Sequence, residues 1–143
     1  EQTAIVTHDH PEGIKGARAV AAAIYMARNG ASKESIKEYI TKTYGYNLDR
    51  TIAGIKKSGY SFDSTCQGSV PESIIAFLEG NSFEEVIRLA IFLGGDADTQ
   101  AAIAGGIAEA FYGFPTKLTG DVDKRLDKEL MLIVNKFNNF CNK

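Results

Sequence analysis

Apolar positions recur along this chain at three- and four-residue spacing in stretch after stretch, the repeat expected of helices that turn one side to a core. Ile14, Ala17, Ala21, Ile24 and Tyr25 share one such face. Pro11 precedes them, suited to a first helical position because its missing N–H would have no partner there, and Asn29-Gly30 stops the run. Ser32 reads as the N-cap of a second helix, with Ile36, Tyr39, Ile40 and Tyr44 on one side and Gly45 at its end. Asn47-Leu48-Asp49 starts a shorter helix reaching Ile55, and the polar stretch from Ser58-Gly59 to Thr65 reads as a loop of the kind that often lines a site. Val70-Pro71 opens the next helix, with Ile74, Phe77 and Leu78 inward and Gly80 closing it.

Ser82-Phe83-Glu84-Glu85 has the form of a capping box, in which a hydroxyl and a carboxylate three residues later each satisfy a backbone N–H. Phe83, Val86, Ile87, Ala90 and Ile91 follow as a buried face. Gly94-Gly95 breaks that helix, and the next starts at Asp98 or a neighbour and ends near Tyr112, before Gly113 and Pro115. From Asp121 onward Leu126, Leu130, Ile133, Val134, Phe137 and Phe140 lie along a last stripe. Strand-like patterning is confined to residues 3–7 and 89–93, too little for a parallel sheet. The pattern predicts an all-α fold, read as a single helical domain over residues 1–143, with no internal repeat or linker.

Composition narrows the partners. With 18 acidic and 16 basic residues and no basic stripe, nucleic acid and anionic membranes are not indicated. The longest strongly apolar run, Ala19 to Ala27, is well short of the ~20 residues that span a bilayer, and no secretory signal opens the chain. Cys66 and Cys141 stand far apart and read as free thiols, which places the protein in a reducing, cytoplasmic compartment.

One segment concentrates chemistry. Gly94-Gly95-Asp96-Ala97-Asp98-Thr99 puts two carboxylates and a hydroxyl on a glycine hinge between apolar helices. Hard cations such as Mg²⁺ take oxygen ligands of this kind and keep room for water and substrate oxygens. On the local pattern alone, capping of the next helix by Asp96 or Asp98 stands level with metal binding. A calcium loop of the EF-hand type starting at Asp96 fails, because Ala101 stands where that loop needs Gly and Ile107 where it needs Glu. A phosphotransfer Asp on a strand end is also a poor match, since a helix pattern leads into Asp96. The helix that follows is small on one side, with Ala101, Ala104, Gly105 and Ala108, and its Gly105-Gly106 pair asks for a neighbouring helix at close range. His8, His10 and Ser69 each lie near a predicted helix start, where free N–H groups attract anions, although local hydrogen bonding and capping explain them equally well.

The run from Cys66 to Gly113, with Gly68-Ser69-Val70-Pro71-Glu72 and above all Gly94-Gly95-Asp96-Ala97-Asp98-Thr99 before an Ala/Gly-rich helix ending Phe111-Tyr112-Gly113, resembles the C-terminal half of the ADP-ribosylglycohydrolase family, which includes the glycohydrolases that activate dinitrogenase reductase. Thr7-His8-Asp9-His10-Pro11-Glu12-Gly13-Ile14-Lys15-Gly16-Ala17 is similar to that family's mid-chain segment. The resemblance implies an all-helical fold with a cleft for two divalent ions, Mg²⁺ or sometimes Mn²⁺, and hydrolysis that frees ADP-ribose from a modified side chain or small acceptor. It makes Asp96, Asp98 and Thr99 the metal ligands and His8, with His10 and Ser69 behind it, the substrate contacts; it names no catalytic residue here. The family's Gly-Asp-Ala and Thr-Asp-Asp-Thr motifs occur nowhere in the chain, which opens on Glu1 rather than Met. The expectation is therefore a C-terminal portion, inactive alone, that needs an N-terminal half of the same protein as its partner. A noncatalytic ADP-ribose-binding or structural relative, and another phosphate enzyme using a metal held by Asp-x-Asp, are the other readings.

Overall fold

The computed structural model describes residues 1–141, and all regular structure in them is helical. The chain forms two compact units, the first running from Glu1 to Gly113 and the second starting at Phe114.

In the first unit the helices are α1 (Gln2–Ile5), α2 (Pro11–Arg28), α3 (Lys33–Tyr44), α4 (Ile52–Lys57), α5 (Cys66–Glu79), α6 (Phe83–Leu93) and α7 (Ala97–Tyr112). Its organising member is α7, against which α2, α5 and α6 all pack. The small residues of α7 make this possible: Ala104, Gly105 and Ala108 are buried, and a Cβ on Gly105 would come within 2.8 Å of Ile87 Cδ1 on α6. The neighbour across α7 is α5, buried continuously from Ser69 to Phe77. Phe77 is fully enclosed and meets Phe111 of α7 edge-on, with ring centroids 5.4 Å apart. Burying a side chain of that size contributes roughly 1.5–3 kcal/mol.

The buried polar side chains of α5 are bonded, although Glu72 Oε2 has no partner. Ser69 Oγ donates to the Thr65 carbonyl at 2.8 Å and Ser73 Oγ to the Ser69 carbonyl at 2.7 Å, while Glu72 Oε1 accepts from Arg50 Nη1 at 2.6 Å. The far end of α5 is held by Lys33, whose ammonium donates to the carbonyls of Leu78 and Gly80, and by the Tyr112 hydroxyl, which donates to Gly80 at 2.8 Å.

Several expectations are corrected. Residues 2–5 are helical rather than extended, and 89–93 belong to α6. Helix α5 begins at Cys66, a turn before Val70-Pro71, because Thr65 caps it: its Oγ1 accepts from Gly68 N at 3.2 Å, and Asp63 Oδ1 fastens Thr65 through both N–H and hydroxyl. Pro71 thus lies inside the helix, where it denies Gln67 its i+4 donor. On α2 the covered edge is Gly16, Ala19, Ala23 and Ala27; Ala17, Ala21 and Tyr25, read as inward, are exposed. On α6 Ile91 is exposed and Leu93 is buried instead.

The second unit holds α8 (Thr116–Asp123) and α9 (Lys128–Cys141). The single last stripe is thereby divided, because Asp127 caps α9 by accepting from Leu130 N at 2.8 Å. Leu130, Ile133, Val134, Phe137 and Phe140 are exposed. Both thiols are free, Cys66 half-buried and Cys141 exposed. No helix among the described residues is long and apolar enough to cross a membrane.

Candidate functional site

The turn from α6 into α7 is built on two glycines with positive φ. Gly94 adopts φ 84°, ψ −156°, a region in which only glycine is at ease, and Gly95 follows at φ 74°. This reversal brings Asp96 to the N-cap position of α7 and puts Asp98 in its first turn.

Asp96 does not use its carboxylate as a cap: it makes no side-chain bond to the helix start. The Asp98 carboxyl is held below the usual carboxylate range by the neighbouring Asp96 side chain first, and then by the Thr99 and Asp98 backbone N–H groups. The Thr99 amide donates to Asp98 Oδ1 at 3.0 Å, and Thr99 is exposed beside it. Neighbouring ionised carboxylates repel, and a cation held by both relieves that repulsion. With the Thr99 hydroxyl they present the hard-oxygen donor set that Mg²⁺ or Mn²⁺ takes. The set is partial, since among the described residues no three or more His, Cys, Asp and Glu side chains gather into a metal-binding group.

The other predicted residues lie elsewhere. His8 is exposed and exchanges a hydrogen bond of 2.9 Å between Nδ1 and Thr7 Oγ1. It lines an open apolar groove of about 520 Å³ whose walls include Ala17, Ala21 and Ile24 of α2, Cys66 and Val70 of α5, and Ile103 of α7. Asp96, Asp98 and Thr99 are not among the groove's lining residues. His10 is the N-cap of α2, its Nδ1 accepting from Glu12 N at 3.2 Å, which leaves Nε2 for any other contact. Ser69 is buried in α5 with its proton given to Thr65.

Two residues at the site escaped the sequence reading. Tyr60, in the polar loop before α5, donates its phenolic proton to the Gly68 carbonyl at 2.9 Å, and fully buried Gln100 donates from Nε2 to the Tyr60 oxygen. The available signal was a pair of aromatic residues, Tyr60 and Phe62, in a loop otherwise made of Ser, Asp, Thr and Gly.

Comparison with known proteins adds the following. The family model described as ADP-ribosylglycohydrolase matches residues 1–139. An ADP-ribosylarginine hydrolase Tri1 of Pseudomonas putida (strain GB-1) is 31% identical over 117 residues, covering 76% of this chain and 30% of that protein. An uncharacterised protein of Archaeoglobus fulgidus is 33% identical over 147 aligned residues, 91% of this chain and 48% of its own length. The chain therefore spans less than half the length of either relative. No solved structure gives a significant match.

Proposed function

Because this chain belongs to the ADP-ribosylglycohydrolase family, we propose that it supplies one side of a metal-assisted site that hydrolyses the bond between ADP-ribose and its acceptor. The observation that carries this reading is the placement of Asp96 at the N-cap position and Asp98 in the first turn of α7, with Asp96 making no side-chain cap bond and Asp98 bonded to the Thr99 N–H.

Asp96, Asp98 and Thr99 would hold the divalent ion, Mg²⁺ or Mn²⁺, one of two in the complete site. A bound ion of this kind polarises substrate oxygens and makes a water molecule more acidic. The chain's own contribution is position. Gly94 and Gly95 let the backbone reverse so that both carboxylates arrive together, and the Thr99 N–H holds the Asp98 carboxylate in place. To His8, which is exposed and lines the apolar groove, we assign a contact with ADP-ribose; His10 can offer only Nε2, and Ser69 acts through α5, since its hydroxyl is already committed. We assign the remaining ligands to an N-terminal half of the protein; that both relatives are more than twice as long as the stretch matched here leaves room for such a half. The name of the Pseudomonas relative makes ADP-ribosylated arginine the first substrate to test.

In the full-length protein, Asp98→Asn is expected to weaken Mg²⁺ binding by at least roughly tenfold in calorimetry and to abolish release of ADP-ribose, with an unchanged helical circular dichroism spectrum. Unchanged Mg²⁺ affinity would remove Asp98 from the site. The incomplete donor set of this chain keeps a second reading open, a noncatalytic ADP-ribose-binding relative. That reading predicts binding of ADP-ribose without turnover of any ADP-ribosylated substrate. A phosphate enzyme with its Asp on a strand end is disfavoured, since α6 leads into Gly94.

A further inference from the structure

We infer that Tyr60 is a positioning residue: it clamps the Gly94–Thr99 turn to the first turn of α5, and through Gln100 it sets where the Asp96 and Asp98 carboxylates stand. The inference rests on the metal-site reading above.

Three contacts converge on Tyr60. Its ring lies against Gly95, so closely that a Cβ there would sit 2.8 Å from Tyr60 Cε1 and 3.1 Å from the Ser61 carbonyl oxygen. Its hydroxyl donates to the Gly68 carbonyl in the first turn of α5 at 2.9 Å. The same oxygen accepts from Gln100 Nε2, and Gln100 follows Thr99 directly and is fully buried. A phenol carries one proton, and here Gly68 takes it. The amide of Gln100 is thereby oriented: only its NH₂ end can face Tyr60, and its Oε1 is left buried without a partner. Gln100 also reaches back along the backbone, its N–H donating to the Asp96 carbonyl at 2.9 Å. One side chain thus touches the turn at Gly95, before the carboxylates, and at Gln100, after them, and ties both to α5.

Stability alone does not account for this arrangement. A buried amide acceptor with no partner is unfavourable, and an apolar residue of similar volume at position 100 would avoid it. What the polar pair adds is direction, because hydrogen bonds fix the turn's distance and angle to α5 where apolar packing would tolerate sliding. Groups that orient metal ligands from behind typically influence affinity by ~10–100-fold.

The test compares Tyr60→Phe and the double variant Tyr60→Phe/Gln100→Leu with wild type in the full-length protein, by Mg²⁺ calorimetry and thermal unfolding. Tyr60→Phe keeps the ring on Gly95 and removes the hydroxyl; the double variant also removes the amide left without its partner. The expected result is Mg²⁺ affinity lowered about tenfold in both variants, with the melting temperature lowered in the first and largely recovered in the second. Affinity that recovers together with the melting temperature would make the pair merely structural and overturn the inference. Wild-type affinity in both variants would do the same while leaving the metal reading intact. Failure of the wild type to bind Mg²⁺ would defeat the metal reading itself, and this inference with it. Should Tyr60→Phe fail to fold, the double variant alone decides, by whether its affinity is low or normal.

Discussion

Consecutive glycines do different work in this protein. At Gly94 and Gly95 the backbone itself requires them, because both φ values are positive and the second also faces the Tyr60 ring. At Gly105 the requirement is spatial, with Ile87 in the way of a Cβ. Gly106 has neither reason: it lies mid-helix with ordinary φ, and an added Cβ would only meet Ile24 Cδ1 at 3.7 Å, normal contact distance. Gly106→Ala is therefore expected to stabilise the protein by about 0.5–1 kcal/mol, the helix-propensity difference, read as a higher urea midpoint with unchanged slope. Gly105→Ala tests the contrast and should gain less. The sequence reading treated the two glycines as one signal of helix packing, since spacing cannot show which of two neighbours points at another helix.

Helix starts were the most legible feature, because a cap is a local hydrogen bond between near neighbours in sequence. Ser32 accepts from Ser35 N, and Ser82 from Glu85 N at 3.2 Å, as their positions suggested. Glu85 completes the box one residue further out than the standard form, its Oε2 accepting from Asn81 N at 2.8 Å. Ser82→Ala should lower stability by about 1 kcal/mol in thermal or urea unfolding, whereas Asp96→Ala should cost α7 much less, since Asp96 forms no cap bond. A large loss from Asp96→Ala would restore the capping role and weaken the case that its carboxylate is kept for a ligand. The start of α5 was misread for a related reason. Pro71 is a strong start signal, but Thr65 with Asp63 is a stronger cap, and burial of α5 from Ser69 onward offsets the bond that proline removes.

Packing of Tyr46 against α2 and α5 creates a titration with a clear consequence for the folded unit. Burial raises the Tyr46 phenol to about 12, with smaller contributions from the nearby Glu12, Cys66 and Glu72 side chains, while its hydroxyl has no hydrogen-bond partner. A raised folded value means that stability from the neutral phenol is complete below pH ~10 and is lost as pH climbs towards 12, because the unfolded chain ionises first. Tyr46→Phe should therefore move alkaline unfolding, followed by circular dichroism, to higher pH, with little loss at neutrality; an unmoved transition would contradict the burial of this phenol. No sequence pattern marked Tyr46, because its surroundings come from α2 and α5.

Period and local chemistry were enough to establish an all-helical chain, the caps at Ser32 and Ser82, the glycine turn and the Asp96–Asp98–Thr99 grouping, since each depends on residues within a turn or two of one another; the cap of α4, read at Asn47–Asp49, is Thr51. Which face of α2 is covered depended on packing. Its sequence is apolar on two sides, and the choice falls to Gly16, whose missing side chain lets α5 approach so closely that a Cβ would lie 3.1 Å from Cys66 and 3.2 Å from Val70. The link from Tyr60 to Gly95 and Gln100 was equally invisible, because it joins residues 35 to 40 positions apart. Only the folding of α5 against α7 brings them together, and a local pattern has no term for that meeting.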